Sequence, residues 1–148
     1  MAADRLLTVA DGLVSAIAGG TWTIGSVTPT RRYSTEYSIR DLATLRVDVQ
    51  PIDQIDNEDD RDEEPGQRTN YVCQVSVQKK VDPSVNAEVD PLLKLTREIS
   101  DFFKEGKLIT IGTELKIEEA KTILYSPKEF DVNKRYFGTV LLKLSEWR

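Results

Sequence analysis

Thr44-Leu45-Arg46-Val47-Asp48-Val49-Gln50-Pro51 and Asn70-Tyr71-Val72-Cys73-Gln74-Val75-Ser76-Val77-Gln78-Lys79-Lys80 are the two stretches on which the fold turns. In the first, Leu45, Val47 and Val49 alternate with Arg46, Asp48 and Gln50. That period of two buries one face of a strand and wets the other. In the second, Tyr71, Cys73, Val75 and Val77 form the core face of a longer strand over Thr69–Val81. Strands on either side of one connection most simply pair antiparallel. The connection, residues 52–68, carries Asp53, Asp56, Glu58, Asp59, Asp60, Asp62, Glu63 and Glu64 around a single Arg61, then the Pro65-Gly66 break. Like charges at this density repel and cannot build a core, which predicts a flexible, solvated acidic loop.

Outward from this pair, the pattern alternates between helix and strand. Leu6, Val9, Ala10, Leu13, Val14 and Ile17 fall on one stripe of a helix over Ala3–Ala18. Gly19-Gly20 stops that helix, read here as a left-handed cap. Thr21–Ile24 is a short strand candidate, and Val27–Tyr37 is extended, near an edge because of Pro29. A second amphipathic helix covers Val85–Glu105, with Ser84 as N-cap candidate. Pro91 places the start of its regular part near Asp90. Glu114–Tyr125 reads as a strand, and Ser126–Asn133 as a helical turn. Arg135–Leu144 is a last strand, too apolar to face water on one side and therefore central in the sheet or covered by another subunit. The class is α+β: a mainly antiparallel sheet with two amphipathic helices on one face, in one domain spanning 1–148.

Composition narrows the function classes. A net charge of −5 disfavours general nucleic-acid binding, which needs an excess of Lys and Arg. No stretch is long and apolar enough to span a bilayer, and Asp4, Arg5 and Asp11 interrupt the N-terminal run that a signal peptide would need. With no histidine and one cysteine, a Ser–His–Asp or Cys–His arrangement cannot be assembled, and a structural zinc site is excluded. Cys73 sits on an apolar strand face and reads as a small buried hydrophobe. No phosphate-binding glycine loop is present. The acidic loop superficially matches a calcium loop, but Arg61 stands where glycine is required. Asp41, Asp48 and the loop acids are the remaining candidates for a carboxylate-metal hydrolase, although none has a visible rigid support. No cofactor is expected.

Two basic doublets, Arg31-Arg32 and Lys79-Lys80, lie at predicted strand ends. One reading is a solvated edge that discourages sheet pairing. The other is contact with an acidic loop of a neighbouring copy, or with DNA in a channel.

Arg32-Tyr33, Tyr37, Asp41-Leu42 and Leu45–Pro51 together resemble a stretch of small tailed-bacteriophage morphogenesis proteins. Tyr71–Lys80, the helix through Leu92–Ile99 and the strand after Tyr125-Ser126-Pro127 fit the same group. The chain resembles a tail terminator or closely related neck protein over roughly Asp4 to Leu144. That resemblance implies a non-enzymatic virion subunit that closes into a ring, usually of six. Such a ring caps the tail tube, stops its growth and joins the head-side connector, with DNA passing through the lumen. It is assembled in the cytoplasm of the host cell. Interface candidates are Arg31, Arg32, Tyr33, Lys79 and Lys80 at strand edges, and Asp59, Asp60 and Glu63 in the acidic loop. A head-completion or stopper role at the neck is the alternative within the same class.

Overall fold

The computed structural model describes residues 4–57 and 68–147. The two deciding stretches form the longest hairpin of the sheet. Strand β2 (Arg46–Asn57) pairs antiparallel with β3 (Arg68–Lys80), from Arg46 opposite Gln78 to Asn57 opposite Arg68. β3 in turn pairs antiparallel with β6 (Arg135–Trp147) along its whole length. β6 also pairs with β5 (Thr113–Ile123), and β5 with the short β4 (Leu108–Ile111). A two-residue β1 (Thr30–Arg31) lies parallel to β2 at the other edge. The sheet order is β1-β2-β3-β6-β5-β4, so the over-apolar last strand is central, one of the two places its composition allows.

The register places Tyr71 opposite Leu144, Cys73 opposite Leu142 and Val75 opposite Val140. All six are fully buried and belong to one apolar cluster. Helix α1 (Arg5–Ala18) adds Val9, Leu13 and Ile17 to that cluster, and α2 (Asn86–Phe102) adds Leu92, Leu95 and Ile99. Both main helices therefore cover the same sheet face. A third, short helix α3 (Pro127–Asn133) precedes β6 and is capped by Ser126, whose hydroxyl accepts from the Glu129 amide. The fold is α+β.

Several boundaries differ from the sequence reading, each for a local reason. β2 does not stop at Pro51; it continues to Asn57 through a register shift between Pro51 and Asp53. A bulge accommodates the missing proline N–H and lets the ladder resume. Residues 52–57 are thus strand, and the rest of the expected acidic loop, 58–67, lies outside the described residues. Thr21–Ile24 is not a strand. Instead the Trp22 indole N–H folds back onto the Ile17 carbonyl at 2.9 Å, and its ring meets Phe102 edge-on. That contact also explains Gly20, where a Cβ would stand 2.4 Å from the Trp22 ring. The cap at Gly19 is right-handed, so close packing rather than a left-handed turn selects glycine after α1.

Of the expected extended run Val27–Tyr37, only Thr30–Arg31 joins the sheet. The chain after Arg32 crosses to the opposite sheet face, where Gln50 and Gln78 side chains donate to the Tyr33 and Thr35 carbonyls. These side-chain bonds replace ladder bonds and end the pairing. α2 starts at Asn86 with Val85 as cap residue, and Pro91 lies inside it. Pro91 is the sixth helical residue, past the four amides that have no intrahelical acceptor, so it removes one bond, to the Ala87 carbonyl, and the helix continues through it. Ser84 bonds Asp82 in the preceding turn rather than capping the helix. β4, absent from the sequence reading, is four residues long and bonded on one side only.

Candidate functional site

The face opposite the helices is polar at the β2 end of the sheet. Asp48, on β2, is buried there, although its neighbours Val47 and Val49 face the core. Its carboxylate accepts from the Thr30 hydroxyl and, at 2.7 Å, from the Tyr37 hydroxyl. Burial first, and the Asp48 bond second, push the Tyr37 phenol above its usual range, so it stays protonated and donates. These bonds pin the crossing segment onto the sheet.

Around the pinned Tyr37 two guanidinium groups gather. Arg32 lies 4.0 Å and Arg46 5.4 Å from the Tyr37 ring centroid, within cation–π range. Each donates to a backbone carbonyl, Arg32 to Glu36 at 3.3 Å and Arg46 to Asp41 at 3.1 Å. Among the described residues neither forms an ion pair with a carboxylate; the ion pairs there use Arg5, Arg31, Arg68 and Arg135. The two guanidiniums line an open, polar pocket with Glu36, Tyr37, Ser38 and Asp41.

The sequence-derived candidates are distributed unevenly. Arg31 leaves the doublet for α1, pairing with Asp11 at 2.8 Å while also donating to the Tyr33 hydroxyl. Tyr33 is two-thirds exposed. Arg32 joins the pocket. Lys79 and Lys80 close β3 at the same end of the sheet, next to Lys134, and share a shallow cleft with Asp82 and Glu88. Asp59, Asp60 and Glu63 lie outside the described residues. Arg46 and Tyr37 were missed as site residues. The signal available was the Arg32–Tyr37–Arg46 alternation of cation, ring and cation, but spacing alone does not say that a segment folds back onto its own strand.

Of the carboxylate candidates, Asp48 and Asp41 are described, and Glu58, Asp59, Asp60, Asp62, Glu63 and Glu64 lie outside the described residues. Asp48 is occupied by two hydroxyl donors, and Asp41 stands in a single turn of 3-10 helix (Asp41–Ala43) with an exposed side chain. Among the described residues no three potential metal ligands are gathered. Burial pushes the Cys73 thiol up to about 12, as expected for an inert core cysteine. No helix among the described residues is long and apolar enough to cross a membrane.

The sheet also leaves two edges open. β1 covers β2 only at Asp48 and Val49, with one further bond from the Arg32 amide to the Val49 carbonyl. From Pro51 to Asn57 the outer side of β2 has no strand partner among the described residues. β4 covers β5 only from Thr113 to Lys116, and Ile117 bonds the backbone of Lys107 and Gly106. From Glu118 to Ile123 the outer side of β5 is likewise without a strand partner. Given the register, these open stretches are diagonal to each other across the sheet.

No family model matches the chain, and no curated protein matches it. A solved structure whose name states no function is similar to it at 17% sequence identity and a TM-score of 0.50, over 98% of this chain and 94% of its own. A likeness at that identity concerns the fold alone.

Proposed function

We propose that this chain is a structural subunit of a tailed bacteriophage: a tail terminator whose copies close into a ring of roughly six, by head-to-tail contacts. The ring caps the tail tube, ends tube growth and joins the tail to the head-side connector, and DNA passes through its lumen without sequence readout. The observation that carries this reading is the pair of open edges. A cyclic ring needs two different surfaces on each subunit, one to meet the other on the next copy. The outer side of β2 over Pro51–Asn57 and the outer side of β5 over Glu118–Ile123 are two such surfaces, unlike in sequence and set diagonally. Native sheets usually blunt their edges, and an open one is a template for pairing. The resemblance of Arg32–Pro51 and Tyr71–Lys80 to phage morphogenesis proteins supports the same reading.

The test is the mass of the purified protein in solution, with negative-stain images of the same sample, alone and mixed with tail-tube subunits. Closed rings with a central hole, alone or on tube ends, are expected. A protein that stays monomeric in both samples overturns the proposal. Copurification with the connector in particles that lack tails moves the subunit to the head side of the neck.

A further inference from the structure

β2 and β5 run in opposite directions, because the antiparallel steps β2 to β3, β3 to β6 and β6 to β5 separate them. The open stretch of each is bounded. On β2 it begins at Pro51, which has no N–H to offer, just past the part that β1 covers, and it ends at Asn57. On β5 it begins at Glu118, just past the backbone bonds of Ile117, and ends at Ile123. The two stretches are of similar length. Among the described residues no backbone-to-backbone bond reaches the outer side of either.

Their side chains differ in a complementary way. Asp53 and Ile55 stand opposite Val72 and Asn70, while Lys121 and Ile123 stand in the rows of Leu141 with Gln74 and Thr139 with Ser76. All four therefore lie on one face of the sheet, the face turned away from the helices. Ile55 and Ile123 are exposed although apolar. Asp53 is exposed too, and its one hydrogen bond is local, Oδ1 accepting from the Gln54 amide at 2.8 Å. On β5, Glu118 is already held by Arg68, and Glu119 stands opposite Lys143. Lys121 is exposed and forms no ion pair among the described residues. The β2 stretch holds no basic residue at all. Two copies of the β2 edge would thus set aspartate beside aspartate, which is destabilising, whereas the β5 edge offers a lysine and an isoleucine.

We infer that the outer edge of β2 in one copy pairs antiparallel with the outer edge of β5 in the next, so that one sheet runs unbroken through the assembly, with Asp53 beside Lys121 and Ile55 beside Ile123. The inference rests on the ring reading and adds the mode, direction and register of the contact. Direction follows from symmetry. In a ring of roughly six, each copy is rotated by about a sixth of a turn, which does not reverse a strand. The incoming β5 therefore opposes β2 as it does within one copy. Setting Gln54 opposite Thr122 makes Asp53 with Ile123, and Ile55 with Lys121, successive facing pairs. The two isoleucines and the two charges then meet on the diagonals, within reach of long side chains. Because the open stretches are offset along the strands, each copy is staggered against the last. A closed ring accommodates that stagger by tilting its strands against the axis, as β-barrels do. Backbone bonds supply the affinity of such a ladder, and the side chains select its partner.

The experiment uses the full chain with Ile55→Cys, with Ile123→Cys and with both, each treated with a short bis-maleimide. Both positions are exposed, so the core is unchanged, and circular dichroism verifies folding. The native Cys73 is buried and its thiol is pushed up to about 12, so it stays unreacted. The double variant is expected to give a series of covalent oligomers that ends at the size of the closed ring. An equimolar mixture of the two single variants is expected to give covalent dimers, and neither single variant to link to itself. Self-linking of Ile55→Cys would mean that like edges meet, and it overturns the proposal. If the double variant forms rings by sedimentation velocity yet gives no cross-links, the edges do not pair and the ring reading survives. Charge reversal decides the register. Asp53→Lys is expected to lose at least tenfold in assembly affinity, and Asp53→Lys with Lys121→Asp to recover it. An unchanged affinity, or a loss without recovery, refutes the pairing of Asp53 with Lys121. A wild type that never assembles, alone or with tube subunits, takes down both readings.

Discussion

The two faces of the sheet are made by the same strands, alternate residue by alternate residue, yet different chemistry holds them. On the helix side, Tyr71, Cys73, Val75, Val140, Leu142 and Leu144 interlock with both main helices, and every one is fully buried. On the opposite side, near β2, Asp48, Ser76 and Gln78 are also buried, but beneath a polar crossing segment rather than a helix. Burial of apolar groups is non-directional and tolerates small displacements. Burial of a carboxylate requires donors at fixed positions. The helix side therefore sets stability, and the polar side fixes where a few surface groups stand, Arg32 and Arg46 among them.

The largest effect expected in breaking this contrast is on the helix side. Leu142→Ala removes a side chain at the middle of the central strand, facing Cys73 and Ala120 in the adjacent strands. A loss of about 2–5 kcal/mol is expected, read as a lowered urea midpoint with an unchanged slope. Next is Gly138→Ala, on β6. An added Cβ would stand 2.8 Å from the Leu124 carbonyl oxygen, the Thr96 hydroxyl and the Tyr136 hydroxyl. The Thr96 and Tyr136 hydroxyls bond each other at 2.9 Å, and Tyr136 also donates to the Leu124 carbonyl. There is no slack at this point, and a destabilisation of about 1–3 kcal/mol is expected from the same denaturation series.

Tyr37→Phe tests the polar face. It keeps the ring under the two guanidiniums but removes one of the two hydroxyl donors to a buried carboxylate. A cost of about 1.5–3 kcal/mol is expected for a hydrogen bond to a charged group, at or below the cost of Leu142→Ala. The informative control is Tyr37→Phe with Asp48→Asn. If the Tyr37 hydroxyl acts through the charge on Asp48, the double variant should lose clearly less than the sum of the two single ones. Strict additivity would mean that the crossing segment is held by something else.

The same contrast explains what could be read in the sequence. The core strands were legible because alternation over Leu45–Val49 and Tyr71–Val77 has a single physical cause, burial on one side. The excess of apolar residues in the last strand showed that it is covered on both faces, and the sheet order decides for a central place over cover by another subunit. β2 beyond Pro51 was not, because the bulge breaks the alternation at the point where proline suggests an end. The polar site was half legible. Arg31 and Arg32 stood out as a doublet, yet one turned to Asp11 and the other to Tyr37. Adjacent residues on an extended segment point to opposite sides, so a doublet in sequence is seldom a pair in space. Asp48 read as an ordinary wet-face residue, because nothing local announces that residues 33–37 will cover it.

The smallest effect expected concerns acid, and it sharpens the contrast at the far end of the same polar face. Glu118, the extra residue at the register shift in β5, accepts from the Ser145 hydroxyl at 2.6 Å and pairs with Arg68 at 3.0 Å. The Ser145 bond first, and then Arg68, Lys116 and Lys143, hold its carboxyl below the ordinary value of 4.5. A carboxyl lowered in the folded state stabilises the fold above its unfolded pKa, and that contribution is lost as pH falls through the folded value. Glu118→Gln should therefore lower the melting temperature slightly at pH 7, and the gap to wild type should close as pH drops below about 4.5. Melting curves of both proteins at pH 7 and pH 3.5 decide it. A gap that is constant with pH would mean that Glu118 acts as a neutral acceptor for Ser145 and that its charge adds nothing. The polar face would then be held at this end by geometry alone, unlike the end where Tyr37 and Thr30 meet the Asp48 carboxylate.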